Sequence, residues 1–343
     1  MKIVVAPDSF KECLPSGEVA SAVVSAIREI MPDSTACPVP LSDGGEGMLD
    51  VVTEALGGRI VPVEVSGPLG KRVAARLGVA GETAVVEVAE ACGLQLLRSN
   101  ERHPLRTTTY GVGELLLCAR KLGCTHMMVG LGGSSTCDGG AGMMAVPLIR
   151  EALSDVSMEI LCDVDAPFTG PLGAARVFGP QKGADPAEVE ILERRMQERA
   201  RQICIETGTD VSLLPGAGAA GGLGGALLAY FGATIRRGID RILDLVDFDR
   251  AVDGADLVIT GEGRSDRQTL AGKVALGVLH RSGTVPVALL SGRIEDRQAL
   301  QEAGFRFLVE VSPRGMSLSE AMLPEVARHN LRLAVAALLR QFS

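Results

Sequence analysis

Short aliphatic segments alternate with helix-like segments along most of the chain, and this alternation limits the possible folds more than any other feature. Residues 2–6 and 256–260 are typical of buried strands, whereas residues 272–282 have helical character. Such alternation favours an α/β fold with a mainly parallel sheet. Because strands near both ends of the chain share a buried aliphatic character, we expect them to lie in one sheet, with the middle of the chain inserted between them.

The length of 343 residues predicts two domains. Between residues 59 and 88 helices disappear, and short β-like runs are separated by Gly-Pro and Gly-Glu turns. This pattern indicates antiparallel strands in a separate, inserted unit. We therefore predict one α/β domain from residues 1–64 plus 255–343, discontinuous in sequence, and a second α/β domain from residues 65–254.

Composition argues against several classes of partner and site. The formal net charge is −8, no basic run occurs and aromatic residues make up 3% of the sequence, so neither nucleic acid nor a membrane is an expected partner. Eight scattered cysteines without a C-x-x-C pair favour thiols in a reducing cytoplasm over a structural zinc site. No signal-peptide pattern is visible, which also predicts a cytoplasmic protein. The uncharged residues 211–235 could span a bilayer, but their Gly/Pro-rich first half indicates a loop and a buried helix.

Six short glycine-rich segments carry carboxylates, lysines or hydroxyl groups. They are residues 6–11, 42–47, 130–140, 178–183, 216–222 and 260–266. Glycine lets backbone amides approach an anion closely, and clustered amides at a turn or a helix N-terminus bind phosphate. One such loop is weak evidence, whereas several in one chain indicate a phosphoryl-transfer enzyme.

Polar side chains follow the predicted strands at their carboxyl ends, where ligands bind in open α/β sheets. The candidate catalytic residues are Asp8, Lys11, Asp43, Lys182 and Asp266. The candidate substrate- or phosphate-binding residues are Ser9, Gly44, Glu46, Gly132, Gly133, Ser134, Ser135, Asp138, Gly218, Arg264, Ser265 and Lys273. The candidate Mg²⁺ ligands are Asp43, Asp163 and Asp266, because this ion prefers oxygen ligands. The alternative for the aspartates and serines is a turn-forming or helix-capping role, and for the lysines a solvated surface position.

Residues 6–14, 42–47, 107–115, 130–143, 163–183 and 260–273 resemble, in order and spacing, those of the bacterial glycerate kinase type-1 family. The resemblance covers nearly the whole chain. It implies transfer of the γ-phosphate of ATP to a hydroxyl of D-glycerate with Mg²⁺, giving 2-phosphoglycerate rather than 3-phosphoglycerate. It also implies that the discontinuous domain is Rossmann-like, with the other α/β domain inserted into it.

One departure from the family lies at residues 145–157, a short link where the family usually carries a few dozen more residues. We expect a peripheral strand to be missing there, which leaves open whether the chain forms a homo-oligomer. Two other functions stay open: a kinase for another small hydroxy acid, and a non-catalytic sensor of nucleotides or phosphorylated metabolites.

Phosphoryl transfer requires positioning, charge neutralisation and a base for the attacking hydroxyl. We expect the backbone amides of residues 132–135 and 216–222 to hold phosphates, and Lys11 and Lys182 to converge on one anionic site. The residue patterns do not divide Mg²⁺ binding and proton acceptance among the three candidate aspartates. Arg264 is a candidate for the glycerate carboxylate, since a guanidinium can bind a carboxylate in bidentate fashion.

Overall fold

The computed structural model describes residues 1–342, which form two compact units. Unit 1 combines residues 1–43 with the part of the chain after residue 238, and unit 2 comprises residues 44–238. The boundaries therefore fall at 43/44 and 238/239, whereas the sequence placed them at 64/65 and 254/255. The first boundary differs because the strand at residues 59–66 pairs within the sheet of unit 2.

The secondary structure alternates as expected. The strands are β1 (Lys2–Val5), β2 (Thr35–Pro38), β3 (Arg59–Ser66), β4 (Arg72–Ala80), β5 (Thr83–Glu87), β6 (His126–Gly130), β7 (Ser157–Leu161), β8 (Thr234–Arg236), β9 (Leu257–Ser265), β10 (Val287–Ile294) and β11 (Phe307–Glu310). The α-helices are α1 (Ser16–Ile30), α2 (Met48–Ala55), α3 (Ala89–Cys92), α4 (Tyr110–Lys121), α5 (Ala141–Met144), α6 (Ile149–Ala152), α7 (Ala174–Phe178), α8 (Pro186–Thr207), α9 (Ala219–Phe231), α10 (Gly238–Leu245), α11 (Phe248–Val252), α12 (Val274–Arg281), α13 (Arg297–Ala303), α14 (Leu318–Ala321) and α15 (Pro324–Phe342). Short 3₁₀ segments lie at Leu94–Leu96, Ser99–Glu101, Pro180–Lys182 and Arg267–Ala271.

The sheet of unit 1 has the order β11-β10-β9-β1-β2 within residues 1–342, and every pairing is parallel. Strands from the first and last parts of the chain therefore share one sheet. The aliphatic side chains of β1 and β9 are buried, as is typical of parallel strands covered on both faces. Helices α1 and α15 contribute Val23, Ile27, Leu331 and Val335 to the same core.

Two predicted loops of unit 1 are parts of strands. Residues 261–263 and 291–292 lie inside β9 and β10, which pair as far as Ser265 and Ile294. A Cβ atom at Gly261 would lie 2.5 Å from the carbonyl oxygen of Leu290, so glycine permits this close pairing. The prediction of loops there was wrong because a glycine needed for close strand approach has the same sequence signature as a turn.

The sheet of unit 2 has the order β3-β4-β5-β6-β7-β8 in the described part of the chain. Strands β3, β4 and β5 are antiparallel, whereas β5 to β8 are parallel. The antiparallel run at residues 59–88 is therefore the edge of one mixed sheet, not a separate unit. Leu115 of α4, Val129 of β6 and Leu223 of α9 lie in its hydrophobic core.

Three local predictions are refined. Ser16 was expected to cap α1, but Pro15 occupies that position and Ser16 is the first helical residue. The final helix predicted near residues 317–341 is divided into α14 and α15. Residues 219–231 form the buried helix expected within the uncharged stretch 211–235. Within residues 1–342, no helix has both the length and the apolar character needed to cross a membrane.

Candidate active site

The predicted site residues are divided between the two units. Unit 1 contains Asp8, Ser9, Lys11, Asp43, Arg264, Ser265, Asp266 and Lys273. Unit 2 contains Gly44, Glu46, Gly132, Gly133, Ser134, Ser135, Asp138, Asp163, Lys182 and Gly218. The expected convergence of Lys11 and Lys182 on one anionic site stays a prediction.

Unit 1 has a cavity of about 460 Å³ beyond the carboxyl ends of β1, β9 and β10. Its polar lining residues are Asp8, Ser9, Lys11, Glu262, Arg264, Lys273, Arg293, Glu295, Ser312 and Asn330. Five of them were predicted from the sequence as site residues: Asp8, Ser9, Lys11, Arg264 and Lys273. Parallel strands bring their carboxyl ends to one edge of the sheet, so residues far apart in sequence meet there.

The Asp8 carboxyl is buried in this cavity wall, and its Oδ1 accepts a hydrogen bond from the Ser9 amide over 2.7 Å. Burial raises the pKa of Asp8 well above its usual value, and the nearby charge of Asp43 raises it further, while Lys11 opposes the shift. Lys11 Nζ lies 3.6 Å from Asp43 Oδ2. A carboxyl with a raised pKa is a stronger proton acceptor than an ordinary aspartate.

Glu262 organises the end of β9. Its Oε1 accepts hydrogen bonds from Ser265 Oγ over 2.9 Å and from Thr269 Oγ1 over 2.6 Å. Its Oε2 lies 3.6 Å from Lys273 Nζ. The buried carboxylate thus contacts two predicted site residues, Ser265 and Lys273, of which Lys273 lines the cavity.

Asp266 has a local structural role in unit 1. Its Oδ1 accepts a hydrogen bond from the amide of Gln268 over 2.7 Å and so caps the 3₁₀ segment that follows. Arg264 lies 3.7 Å from Asp266 Oδ2 and 2.8 Å from Glu295 Oε2. These bonds match the capping alternative for Asp266 and give Arg264 two carboxylate partners.

In unit 2, Lys182 holds the loop that follows β6. Its ammonium group is buried and donates hydrogen bonds to Ser134 Oγ over 3.0 Å and to the Thr136 carbonyl over 2.8 Å. Burial lowers the pKa of Lys182. Ser135 Oγ donates to the carbonyl of Cys92 over 2.8 Å. Lys182 is therefore not the solvated surface lysine that the sequence left open.

The carboxylate of Asp138 is held by groups of unit 2. It accepts hydrogen bonds from the Thr109 amide over 2.8 Å and from the Thr109 hydroxyl over 2.9 Å. The amides of Gly140 and Gly142 also donate to it, each over 3.1 Å. These four hydrogen bonds show a structural role for Asp138. Its carboxylate joins the 130–140 loop to the start of α4.

The predicted glycines permit close backbone approaches within unit 2. A Cβ atom at Gly132 would lie 2.4 Å from Gly45 Cα, and one at Gly218 would lie 2.2 Å from the Pro167 carbonyl oxygen. Gly44 and Gly133 have φ angles of 86° and 75°, which side chains other than glycine rarely adopt. Glu46 is exposed beside this segment.

The three predicted Mg²⁺ ligands do not lie in one unit, since Asp163 belongs to unit 2 and its Oδ1 accepts from the amide of Gly238 over 2.8 Å. Among the described residues, no group of three or more Asp, Glu, His or Cys side chains is arranged to hold a metal by itself. Mg²⁺ in kinase sites is usually held by one or two carboxylates together with substrate phosphates and water. The Asp43 carboxylate of unit 1 fits that requirement.

Two further residues of the unit 1 cavity were missed by the sequence predictions: Arg293 and Asn330. Arg293 follows a Ser-Gly pair that was read as an ordinary loop. Asn330 is a buried amide on the apolar side of α15, next to the core residue Leu331. The sequence signal for Asn330 is a single amide side chain within an otherwise apolar face of a helix.

Comparison with known proteins identifies the family. The sequence model of the glycerate kinase family matches residues 3–147 and 146–343. Glycerate kinase from Bacillus subtilis strain 168 is 40% identical, with 94% of this chain and 93% of the relative covered. Glycerate 2-kinase from Escherichia coli K12 is 39% identical over 86% of both chains. The chain belongs to the glycerate kinase family. This confirms the resemblance seen in the sequence and the prediction of a kinase that uses ATP as co-substrate and acts on a small molecule.

A solved structure supports the same assignment. The crystal structure of a candidate glycerate kinase 2 from Salmonella typhimurium LT2 superimposes with a TM-score of 0.82 at 40% identity, covering 99% of this chain and 98% of that one. The predicted α/β fold class with mainly parallel strands is thereby confirmed. The two parts of the family match meet at residues 146–147, inside the segment 145–157 where the sequence predicted a shortened link in this glycerate kinase family member.

Proposed function

We propose that this member of the glycerate kinase family transfers the γ-phosphate of ATP to the 2-hydroxyl of D-glycerate, giving 2-phosphoglycerate. The observation that carries the proposal is the 39% identity to the Escherichia coli glycerate 2-kinase over 86% of both chains. The unit 1 cavity supports it, because cations and carboxylates alternate around one space, as phosphoryl transfer requires. The product with phosphate on the 3-hydroxyl is the less favoured outcome.

In the proposed reaction, Asp8 is the leading candidate for the base that accepts the proton of the attacking hydroxyl. Its carboxyl is buried, and its raised pKa makes it a stronger proton acceptor than an ordinary aspartate. Lys11, whose side chain is 59% exposed, can turn from Asp43 toward a phosphate and neutralise its charge. Lys273 and Arg264 add positive charge at the same cavity, and Ser9 adds a hydroxyl donor.

Asp43 is the residue proposed first to hold Mg²⁺, with Asp266 and Asp163 as the further candidates. When bound, Mg²⁺ neutralises phosphate charge and orients the transferring group. The negative charge of Asp43 raises the pKa of the buried Asp8 carboxyl, and a cation bound at Asp43 would remove this repulsion. We therefore expect Asp43→Asn to lower turnover much more than stability.

In unit 2, the proposed anion-binding groups are the backbone amides of residues 132–135 and the side chains of Ser134, Ser135 and Lys182. The buried Lys182 already donates to Ser134, so its charge polarises the hydroxyl that would meet a phosphate or carboxylate. Gly44, Glu46, Asp138 and Gly218 are proposed to shape the surrounding backbone. Arg264 remains the proposed partner of the glycerate carboxylate.

We further propose a cytoplasmic enzyme that does not bind nucleic acid, based on its net charge of −8. The two compact units are proposed to be the two domains, the first discontinuous in sequence. A homo-oligomer is compatible with the family, and the shortened link at 145–157 is where its contacts would differ.

The experiment that tests the proposed substrate measures ATP consumption with D-glycerate, L-glycerate, other small hydroxy acids and no acceptor. We expect consumption that depends on D-glycerate. Faster turnover of another hydroxy acid would favour the kinase of different specificity. Nucleotide binding without turnover of any acceptor would favour the sensor function.

A further inference from the structure

Two sets of segments line the unit 1 cavity, and they differ chemically. The segments after β1 and around the end of β9 form an ionic end with the side chains of Asp8, Lys11, Glu262 and Lys273. The segment after β11, together with α15, forms a mainly apolar end with Val311, Met316, Met322 and Ala327. Glycerate has three carbon atoms and is polar at each of them, so it cannot use an apolar end. The volume of about 460 Å³ lies in the range of sites for cofactor-sized ligands.

Asn330 is the polar group of the apolar end. Its side chain is 3% exposed and lies on the inner face of α15, three residues after Ala327 and one before Leu331. The side-chain amide donates a hydrogen bond of 3.4 Å to the sulfur of Met316. A thioether is a weak acceptor, and an amide carries two donors and a carbonyl acceptor. Burial of this amide with so weak a partner costs free energy unless a ligand pairs with it.

The ionic end combines four cationic side chains from separate segments: Lys11, Arg264, Lys273 and Arg293. Arg264 and Arg293 are register partners on the neighbouring strands β9 and β10, so two positive charges lie side by side. Glu295 and Glu310 offset them at 2.8 Å and 3.3 Å. A ligand with several negative charges can exchange with these exposed ion pairs at small cost, since such pairs contribute little in water.

A second buried group at the ionic end has an unmet hydrogen-bond capacity. Ser9 lines the cavity and is 5% exposed. Its hydroxyl oxygen has no hydrogen-bond partner among residues 1–342. Both ends of the cavity therefore contain buried polar side chains that the protein itself satisfies poorly.

We propose that this cavity binds the purine nucleotide co-substrate, with the base in the apolar end and the phosphates directed toward Lys11, Lys273 and Arg293. The Asn330 amide would donate to and accept from the edge of the base, the bidentate pairing that suits adenine. The inference rests on the proposed kinase function. It adds two points to that function: unit 1 holds the nucleotide, and Asn330 selects its base.

The test uses calorimetric titration with ADP, which needs no turnover, together with kinetics on ATP, GTP and D-glycerate. Asn330→Leu keeps the size of the side chain and removes its hydrogen bonds. We expect about tenfold to 150-fold weaker ADP binding, a similar rise in KM for ATP, and a loss of selectivity for ATP over GTP. The KM for D-glycerate should change less than about threefold. The matched control is His329→Leu, at the exposed neighbouring position of α15.

A second variant guards against misfolding of Asn330→Leu. Ala321→Phe adds a ring at a partly exposed position that lines the apolar end, and it should also weaken ADP binding. Unchanged ADP affinity in both folded variants would overturn the nucleotide placement. A higher KM for D-glycerate in these variants, with an unchanged KM for ATP, would overturn it as well. A wild-type protein that binds ADP through Asn330 but phosphorylates no acceptor would overturn the proposed kinase function and leave the nucleotide site standing.

Discussion

The ammonium group of Lys182 lies 3.0 Å from the hydroxyl oxygen of Ser134, and both side chains are buried in unit 2. The same ammonium group donates to the carbonyl of Thr136 over 2.8 Å. A single lysine therefore satisfies two acceptors of the 130–140 loop. This relationship separates Lys182 from Lys11, whose side chain is 59% exposed beside Asp43.

Replacement of Lys182 by Met should destabilise the protein. The change leaves two buried acceptors without their charged donor, and the expected loss is about 1–3 kcal/mol of unfolding free energy. Lys11→Met should cost about 0.5 kcal/mol or less, because its side chain is mostly exposed. Urea unfolding of both variants measures the difference. Equal stability of the two variants would contradict the structural role of Lys182.

Two substitutions can separate the helix-capping role of the Asp266 side chain from the role of its negative charge. Asn is as good an N-cap as Asp, so Asp266→Asn should retain stability, whereas Asp266→Ala should lose about 1 kcal/mol. Thermal unfolding measures this contrast, and turnover of Asp266→Asn measures the charge role. A stable Asp266→Asn variant with normal turnover would remove Asp266 from the candidate Mg²⁺ ligands. A similar stability loss in both variants would contradict the capping role.

Gly132→Ala should disturb unit 2 and lower turnover. Its new methyl group would lie 2.4 Å from the backbone of Gly45, so one loop must shift, at a cost of about 1–3 kcal/mol. Gly17→Ala in α1 is the matched control, because a Cβ there meets no atom within 4 Å. That control should be stabilised by roughly 0.5–1 kcal/mol. A Gly132→Ala variant with unchanged stability and turnover would show that the close approach is not required.

Glu87 should make stability depend on pH. It is buried at the end of β5 and accepts a hydrogen bond from the Leu49 amide over 3.2 Å. Burial raises the pKa of Glu87 from 4.5 to about 7, and the charges of Glu90 and Asp50 add to the shift while Arg76 opposes it. Because the folded state binds this proton more tightly than the unfolded chain, the contribution of Glu87 to stability is largest below about pH 4.5 and is lost as pH rises to about 7.

The variant Glu87→Gln mimics the protonated carboxyl and isolates this effect. It should match the wild-type stability near pH 4.5 and exceed it by about 3 kcal/mol at pH 8, since one unit of pKa corresponds to about 1.4 kcal/mol. Urea unfolding at both pH values checks this, with the exposed Glu54→Gln as control. A stability difference between wild type and Glu87→Gln that does not vary with pH would refute the raised pKa.

The sequence predicted most of the strands and helices because their aliphatic runs are long and buried. It failed where one residue type serves two purposes. Gly261 and Gly292 read as loop residues, yet they lie inside β9 and β10 because close strand approach also requires glycine. Antiparallel pairing at residues 59–88 was visible locally, but its continuation into the sheet of β6 depends on pairing with a distant segment.

The candidate site was predicted where polar residues directly follow buried strands. Asp8, Lys11 and Lys273 line the unit 1 cavity for that reason. The sequence could not reveal burial, so Lys182 remained indistinguishable from a surface lysine. Asn330 lies in a helix far from any strand end, and only packing brings such an amide to a cavity. The roles of all these residues in catalysis stay predictions.

Direct coupling of the product to enolase tests the central claim. Enolase consumes 2-phosphoglycerate, so purified protein with D-glycerate and MgATP should give phosphoenolpyruvate without added phosphoglycerate mutase. The account predicts a signal that depends on D-glycerate and is unchanged by the mutase. A signal that requires the mutase would establish the 3-phosphate product, and no ATP consumption with D-glycerate would contradict the proposed kinase activity.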